Sequence, residues 1–163
     1  MNNTSDKHLH IVSFDIPYPA NYGGVIDVFF RIKALSQRGV KIHLHCFEYG
    51  REHSAYLESF CHSVTYYKRE TKVAKLFNTL PYIVCSRDSE ELRNNLLKDD
   101  YPILLEGLHC CSILTYDVFK DRNIIVRAHN VEHEYYEHLA MAEVDAKKKV
   151  YLRQEVRKLK DFE

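Results

Sequence analysis

A strand, a glycine-containing loop, a helix and a second strand follow one another in the first third of the chain. The apolar run at residues 9–14 predicts the first strand, and the alternating run at residues 40–47 predicts the second. Between them, apolar side chains recur at helical spacing over residues 25–35, and Gly39 is expected to end that helix. A unit of this kind crosses over with a right hand and makes its two strands parallel.

The remainder of the chain continues the alternation. Further strands are predicted at residues 64–67, 103–105 and 124–126, and helices at residues 53–60, 73–80, 88–98 and 113–119, with Pro81 as an interruption. The β-branched run at 124–126 is typical of a fully buried strand. The pattern predicts an α/β fold, a Rossmann-like, doubly wound and mainly parallel sheet with helices on both faces.

Length and composition restrict the class of protein. The 163 residues are enough for one domain with a core, and the 45% apolar and 28% charged content is that of a globular chain. Lysine plus arginine and aspartate plus glutamate are 23 each, so the net charge is zero. This balance argues against a nucleic-acid-binding surface, which carries a basic excess.

Cysteine use and hydropathy indicate a cytoplasmic protein. The five cysteines form no CxxC motif, and Cys46, Cys110 and Cys111 lie in or beside apolar runs, as expected of reduced, buried thiols. The polar N-terminal segment 1–7 is not followed by the apolar region of a signal peptide. No segment has the apolar length of a spanning helix, so any membrane contact is expected to be peripheral.

The C-terminal segment differs from the rest. Residues 141–163 are predicted to form one long amphipathic helix whose apolar side chains alternate with charged ones. No capping residue or glycine is recognisable at its end. We therefore expect residues 1–163 to be a single domain of a longer protein, with this helix leading toward a second domain.

The loop after the first strand is a candidate binding element. Gly23 and Gly24 lie between a strand and a helix N-terminus, where unpaired amides and the helix dipole favour an anion. The sequence is neither GxGxxG nor a P-loop. Asn21 and Tyr22 precede the pair in a stiff, aromatic loop. Ligand contact and a simple chain turn both remain open interpretations of the glycines.

The segment at residues 127–138 follows the last predicted strand and is dense in histidine, glutamate and asparagine. Ligands of open α/β sheets bind outside the carboxyl ends of the strands. His129 stands where this strand ends and is therefore the candidate catalytic residue, able to donate to a hydroxyl or to stabilise developing charge. Arg127 and Asn130 are candidate substrate-binding neighbours, and we expect this segment to meet the glycine loop at one edge of the sheet.

A zinc site is the competing interpretation of the same histidines. The segment that begins at His133 resembles the HExxH zinc motif, but Glu137 stands at the position of the second histidine. His138 lies one residue beyond that position. One residue rotates a helical side chain by about 100°. We therefore predict no metal and interpret His133 and His138 as solvated helix residues.

Glu106 and His109 follow the fourth predicted strand in the same way, with Gly107 between them. They are candidate substrate-binding residues at the same sheet edge as His129, although an ordinary strand-to-helix turn explains them equally well. His43 and His45 alternate along the second strand and are interpreted as structural.

With these residues in view, the chain resembles the N-terminal domain of a family-four glycosyltransferase of the GT-B fold. The resemblance rests on residues 17–24 after the first strand, on residues 31–39 with the strand after them, and on residues 129–136. It covers nearly the whole chain in order and spacing.

The resemblance implies a retaining hexosyltransferase of bacterial polysaccharide synthesis, which uses a nucleotide-sugar and a saccharide or lipid-linked acceptor. It implies that Gly23 and Gly24 approach the donor phosphates or the acceptor, and that His129 contacts the transferred sugar. The family's paired-glutamate motif and basic diphosphate ligands belong to a C-terminal domain that has no match here. Residues 1–163 alone are therefore expected to be inactive. A GT-B nucleotide-sugar epimerase, a non-catalytic α/β binding module and a metal-dependent hydrolase are the alternatives.

Overall fold

The computed structural model describes residues 7–163, and most of the polar segment 1–7 lies outside that range. The described chain forms one five-stranded sheet in which every neighbouring pair of strands is parallel. The strands are β1 (His8–Ser13), β2 (Lys41–Glu48), β3 (Ser63–Lys68), β4 (Ile103–Glu106) and β5 (Ile124–Arg127). Their spatial order is β3-β2-β1-β4-β5, so the chain reverses direction across the sheet between β1 and β4.

Within residues 7–163, six α-helices connect and follow the strands. They are α1 (Gly23–Gln37), α2 (Ala55–Glu58), α3 (Tyr82–Cys85), α4 (Glu90–Leu96), α5 (Glu132–Ala142) and α6 (Ala146–Phe162). Three 3₁₀ helices lie at Val73–Phe77, Leu108–Thr115 and Asp117–Phe119. The segments at 73–80 and 113–119 are thus 3₁₀ rather than α-helical, and the helices expected at 53–60 and 88–98 are shorter.

Two apolar layers confirm the predicted Rossmann-like α/β fold. On one face of the sheet Ile11 and Leu104 pack with Val28 of α1. On the other face Val12 and Leu105 pack with helix α4 and with the 3₁₀ segment after β4. Adjacent residues of one strand therefore enter opposite layers, because successive side chains of a strand point to opposite faces.

The predicted end of α1 is confirmed. Gly39 has φ of +77°, and its N–H donates to the Ser36 carbonyl at 2.9 Å. The Val40 N–H reaches back to the Leu35 carbonyl at 3.1 Å. Glycine adopts this left-handed conformation without the penalty that a Cβ would bring, so the chain leaves the helix and enters β2 at once.

The prediction of a fully buried strand at 124–126 is wrong. Ile125 is 54% exposed and Val126 is 42% exposed. β5 is the last strand of the described sheet, and α5 and α6 pack on each other and on α3 instead of covering it. A β-branched run indicates a strand but not its position in the sheet, which depends on what packs beside it.

The single helix expected at 141–163 is also wrong. Met141 belongs to α5, and Val144 lies in the connection to α6 and is 97% exposed. Asp145 caps α6 by accepting the Lys148 N–H at 2.9 Å, and the Glu143 carboxylate accepts two N–H groups of the connection. These local hydrogen bonds compete with helix continuation, as acidic side chains do at helix starts.

A buried carboxylate fixes α6 to the domain. Glu155 is 1% exposed, and it accepts the Tyr82 N–H at 2.6 Å and the Lys158 ammonium at 2.8 Å. It thereby satisfies an amide at the N-terminus of α3, where a negative charge is favourable. Leu159 packs beside it on Ile83 and Val84.

Candidate functional site

A cavity of about 700 Å³ opens at the carboxyl edge of the sheet, beside the point where the strand order reverses. Open α/β sheets bind ligands at this place. The wall is formed by the end of β1, the start of α1, the segment after β4 and the segment between β5 and α5. Its residues are Phe14, Tyr22, Gly23, Gly24, Asp27, His109, Arg127, Ala128, His129, Asn130, Glu132 and Tyr135. The glycine loop and His129 therefore share one cavity, as the sequence predicts.

A buried aspartate holds the loop after β1. Asp15 is 4% exposed, and its carboxylate accepts the Ile16 N–H at 2.8 Å and the Tyr22 hydroxyl at 2.9 Å. Burial, together with Asp15, raises the pKa of Tyr22 to about 12, so the phenol stays a hydrogen-bond donor. The Tyr18–Pro19 peptide in this loop is cis. Asp15 was not among the predicted site residues, because nothing in its local sequence distinguishes it from an ordinary turn aspartate.

The N-terminus of α1 presents unpaired amides to the cavity. The first N–H to bond inside the helix is that of Ile26, which donates to the Tyr22 carbonyl at 3.0 Å. The side chain of the N-cap residue Tyr22 makes no capping hydrogen bond, and the first turn of α1 holds no acidic residue. The preceding amides of a helix have no intrahelical partner and, with the dipole, favour an anion.

The two glycines of this turn are not equivalent. A Cβ on Gly24 would come within 2.8 Å of Phe14 Cζ, whereas a Cβ on Gly23 would meet nothing within 4 Å. Gly24 is thus required for packing of the helix against the Phe14 ring. Gly23 leaves the backbone open on the side of the cavity, which fits close approach of a ligand.

Beneath the cavity lies a network of charges centred on Glu106, the last residue of β4. Its side chain is 0% exposed and meets three positive or polar groups. Oε1 lies 3.0 Å from Arg31 Nε, and Oε2 lies 3.1 Å from His129 Nε2 and 3.5 Å from Arg127 Nη1. Asp27 closes the network, since it pairs with Arg127 and lies 3.7 Å from Arg31.

Glu106 therefore lies under the site rather than on its wall. The expectation that it binds substrate directly does not fit this placement, because a fully buried carboxylate with three partners has no surface for a ligand. Its place follows from register, since Glu106 pairs with Arg127 across neighbouring parallel strands. Asp27 and Arg31 were missed in the sequence, although opposite charges four residues apart on a helix behind a glycine pair are a recognisable signal.

His129 is fixed by hydrogen bonds at both ring nitrogens. Nε2 faces the Glu106 carboxylate, which only accepts, and Nδ1 lies 3.3 Å from Arg127 Nη1, which only donates. These partners select the tautomer with hydrogen on Nε2. With Arg127 in this position, neither nitrogen is left to donate to a ligand.

His109 has the opposite character. It lines the cavity, and its Nδ1 is buried without a hydrogen-bond partner. Burial, followed by the charges of Arg87 and Arg69, lowers the pKa of His109 to about 3. A neutral ring whose Nδ1 has no acceptor carries its hydrogen at lower cost on Nε2. The wall of the cavity thus contains one neutral imidazole that can donate.

Gly107 allows both imidazoles to approach. It has φ of +83°, and a Cβ there would lie 3.3 Å from both His109 Nδ1 and His129 Cδ2. Arg87, which was missed in the sequence, supports the same region. It is 4% exposed and donates to the Phe14 and Ile83 carbonyls at 2.9 and 3.0 Å. Burial and the neighbouring Arg69 lower the pKa of Arg87 to about 10.

Asn130 lies on the cavity wall as expected, but Asn21 does not. Asn21 accepts from Arg51 Nη1 at 3.0 Å and lines a different pocket. The prediction that His133 is solvated is wrong in part. Its ring pairs with Glu163, whose carboxylate also accepts the Glu132 N–H at 2.6 Å and so caps α5.

His138 is exposed, as predicted. Among residues 7–163, no group of three or more His, Cys, Asp or Glu side chains is arranged to hold a metal ion. All five cysteines are free, and Cys46, Cys110 and Cys111 are buried as expected. In the same range, no helix is both long enough and apolar enough to cross a membrane.

A curated protein of Klebsiella pneumoniae is similar to the chain. The chain is 36% identical over 149 residues to an uncharacterized 44.6 kDa protein in a cps region of Klebsiella pneumoniae. The match covers 86% of this chain and 38% of that protein, so the chain spans about two fifths of the relative's length. No protein-family model matches the chain, and no solved structure matches it.

Proposed function

We propose that this chain is the N-terminal, acceptor-side domain of a retaining glycosyltransferase of bacterial polysaccharide synthesis. The observation that carries the proposal is the cavity at the sheet reversal, where an uncapped helix N-terminus faces His109, His129 and Asn130. A cps region is a capsule gene region, and the relative found there supports the polysaccharide context. The family-four assignment rests on the sequence resemblance described above.

The amides at the start of α1 are suited to an anionic part of the substrate. A phosphate oxygen of a nucleotide-sugar, or of a phosphate-linked acceptor, can accept hydrogen bonds there without a lysine. Arg31 and Arg127 are paired with Glu106 and Asp27, so they add little net positive charge to the site. In a low-dielectric site, such preorganised dipoles stabilise a leaving diphosphate.

The two imidazoles have different parts in this proposal. His129 is a positioning residue while Arg127 stays in place, because both of its nitrogens are bonded within the protein. His109 is the neutral donor that can contact a sugar hydroxyl. The candidate catalytic role of His129 therefore requires Arg127 to move when substrate binds.

The donor is proposed to be held mainly by a second domain of the longer protein, which supplies the diphosphate ligands that these residues lack. A hexose would pass to a saccharide or lipid-linked acceptor on the cytoplasmic side, with peripheral membrane contact where the acceptor is a lipid. No cofactor and no metal enter this scheme.

The test is an assay of the full-length protein with a panel of UDP- and GDP-hexoses and candidate acceptors, read by mass spectrometry of the acceptor. A mass increase of one hexose supports the proposal. Conversion of the donor to its epimer without acceptor would instead show a nucleotide-sugar epimerase. Saccharide binding with no turnover of any donor would identify a binding module and overturn the proposal.

A further inference from the structure

The first two strands carry a second cluster of titratable groups, away from the cavity. Side chains of His8 and His10 on β1 meet those of His43 and His45 on β2, in two rungs of the same kind. His8 Nδ1 lies 2.8 Å from His43 Nε2, and His10 Nδ1 lies 2.9 Å from His45 Nε2. His8 and His10 are the first and third residues of β1, and His43 and His45 are the third and fifth of β2. The cavity lies beyond the carboxyl ends of the strands.

The inner rung belongs to a longer hydrogen-bonded chain with fixed ends. At one end, His10 Nε2 lies 2.9 Å from Asp99 Oδ1. At the other, His45 Nδ1 lies 2.7 Å from the Tyr67 hydroxyl, which accepts from Asn95 Nδ2 at 2.8 Å. Asn95 Oδ1 accepts from Lys98, which fixes the orientation of that amide.

These ends allow one direction of hydrogen bonding. An ionised Asp99 only accepts, so His10 donates through Nε2, and a neutral His10 then accepts at Nδ1. His45 must then donate through Nε2 and accept the Tyr67 hydroxyl at Nδ1. Every group in the chain is satisfied when both imidazoles are neutral. A proton added to Nδ1 of His45 would turn this nitrogen from an acceptor into a donor. The Tyr67 hydroxyl would then lose the hydrogen bond that it donates to His45.

The inner rung is shielded from solvent. His10 and His45 are 3% and 4% exposed. Around the outer rung, Tyr101 stacks on His8, His62 lies edge-on to His43, and Ser63 lies 3.0 Å from His43 Nδ1. The charges that face the cluster are Asp99, Lys98 from the end of α4, and Arg122, which lies 3.9 Å from Asp99. Asp99 is thus the carboxylate at the histidine end, and the Glu91 carboxylate acts on Tyr67 at the other end.

We propose that this histidine ladder is an acid-sensitive fastening of β1 to β2, which holds the sheet together while its inner rung is neutral and releases it on acidification. The ladder is independent of the proposed transferase activity, because none of its residues lines the cavity.

The sign of the effect follows from linkage. Burial, together with the charge of His10, lowers the pKa of His45 to about 3, whereas an unfolded histidine titrates near 6.5. Above pH 6.5 neither state binds the proton, and between about 6.5 and 3 only the unfolded state does. Stability is therefore lost as the pH falls. From pH 7 to pH 5, His45 alone should raise the unfolding constant by about twentyfold. Burial lowers the pKa of His43 to about 4 as well, but its side chain is partly exposed to solvent and adds less.

The experiment compares urea unfolding at pH 7 and pH 5 for the wild type, His45→Gln and His138→Gln. Glutamine can donate to His10 without titrating. The unfolding constant of His45→Gln should therefore rise about twentyfold less between pH 7 and pH 5 than that of the wild type. His138 is exposed on α5, and its replacement should leave the wild-type loss unchanged. Burial raises the pKa of Glu132, so that carboxyl and His109 also respond to pH, and both contribute equally in all three proteins.

Ring nitrogen chemical shifts of the wild type give a second readout, which holds even if His45→Gln does not fold. His45 should be neutral with hydrogen on Nε2 at pH 7, and it should stay neutral at pH 5. Titration of folded His45 near pH 6.5, or equal losses in the wild type and His45→Gln, would overturn the proposal.

Discussion

His129 Nε2 lies 3.1 Å from Glu106 Oε2, so an imidazole on the cavity wall is tied to a carboxylate that has no exposed surface. The two residues follow neighbouring strands, and the end of β4 brings the carboxylate under the ring that follows β5. The orientation of His129 is thus set from below, by a residue that cannot touch a ligand. The residue on the cavity wall, His129, and the residue that holds it in place, Glu106, therefore have different parts in the site.

Replacing Glu106 with Gln should destabilise the domain by about 2 kcal/mol, because two guanidinium groups lose their shared counter-charge. The loss is below that of a fully buried pair, since Arg31 and Arg127 are each 31% exposed. Urea unfolding measures it. Glu134→Gln, on the exposed side of α5, is the matched control and should change the free energy of unfolding by less than about 0.5 kcal/mol. Equal effects of the two substitutions would contradict the network.

Gly24→Ala should cost about 1–2 kcal/mol, and Gly23→Ala should cost less than half as much. The added methyl group at Gly24 meets the Phe14 ring, which packs beside His109 and His129, whereas the one at Gly23 meets open space. The ring must therefore move and carry the cavity wall with it. Thermal unfolding of the two variants provides the comparison, and a larger loss for Gly23→Ala would show that the loop packs differently.

The sheet and its edge could be predicted from sequence because they depend on local patterns. Strands at residues 9–14 and 40–47 and the end of α1 at Gly39 follow from apolar periodicity and one glycine. The exposure of Ile125 could not be predicted, because the burial of a strand depends on its neighbours in the sheet. The break at Val144 does not follow from apolar spacing, because it depends on Asp145, which caps the next helix.

The site was predicted in its location and only partly in its chemistry. His129 and the glycine pair do line one cavity, since parallel strands deliver their following residues to one edge. The difference between His129 and His109 depends on the partners of each nitrogen, which long-range contacts decide. Asp27 and Arg31 come from a helix that reaches the strand ends only after the crossover folds.

In the full-length protein, His129→Ala should lower turnover by about a hundredfold to a thousandfold and weaken donor binding much less. Removal of the ring frees Arg127 and Glu106 from their arrangement, an effect that matters most when charge develops. His133→Ala is the control within the same segment. It should leave kcat unchanged and cost under about 1 kcal/mol of stability, because it removes a partly exposed pair with Glu163. The reverse ranking would mean that the strand end is not the reacting region.

His109 should not titrate between pH 5 and pH 8 in the folded domain, because burial and the nearby Arg87 lower its pKa to about 3. Its ring signals in a two-dimensional NMR titration should stay those of a neutral imidazole across that interval. Arg87→Met removes the nearest positive charge and should raise the pKa of His109, so that its titration begins at a higher pH than in the wild type. A midpoint near 6.5 in the unaltered domain would show that His109 is solvated and would remove its role as a neutral donor.

Residues 1–163 alone should bind UDP- and GDP-sugars weakly, with dissociation constants of about a millimolar or above, and should transfer no sugar. A single helix N-terminus provides a few amide hydrogen bonds, and the charges beneath it are already paired with each other. A millimolar constant corresponds to about 4 kcal/mol, which such a site can supply without a second domain. Titration calorimetry with the donor panel measures this directly, and Gly24→Ala should abolish the residual heat by displacing Phe14. Micromolar binding to the isolated domain would show that its own residues bind the donor. The proposal that a second domain holds the donor would then be wrong.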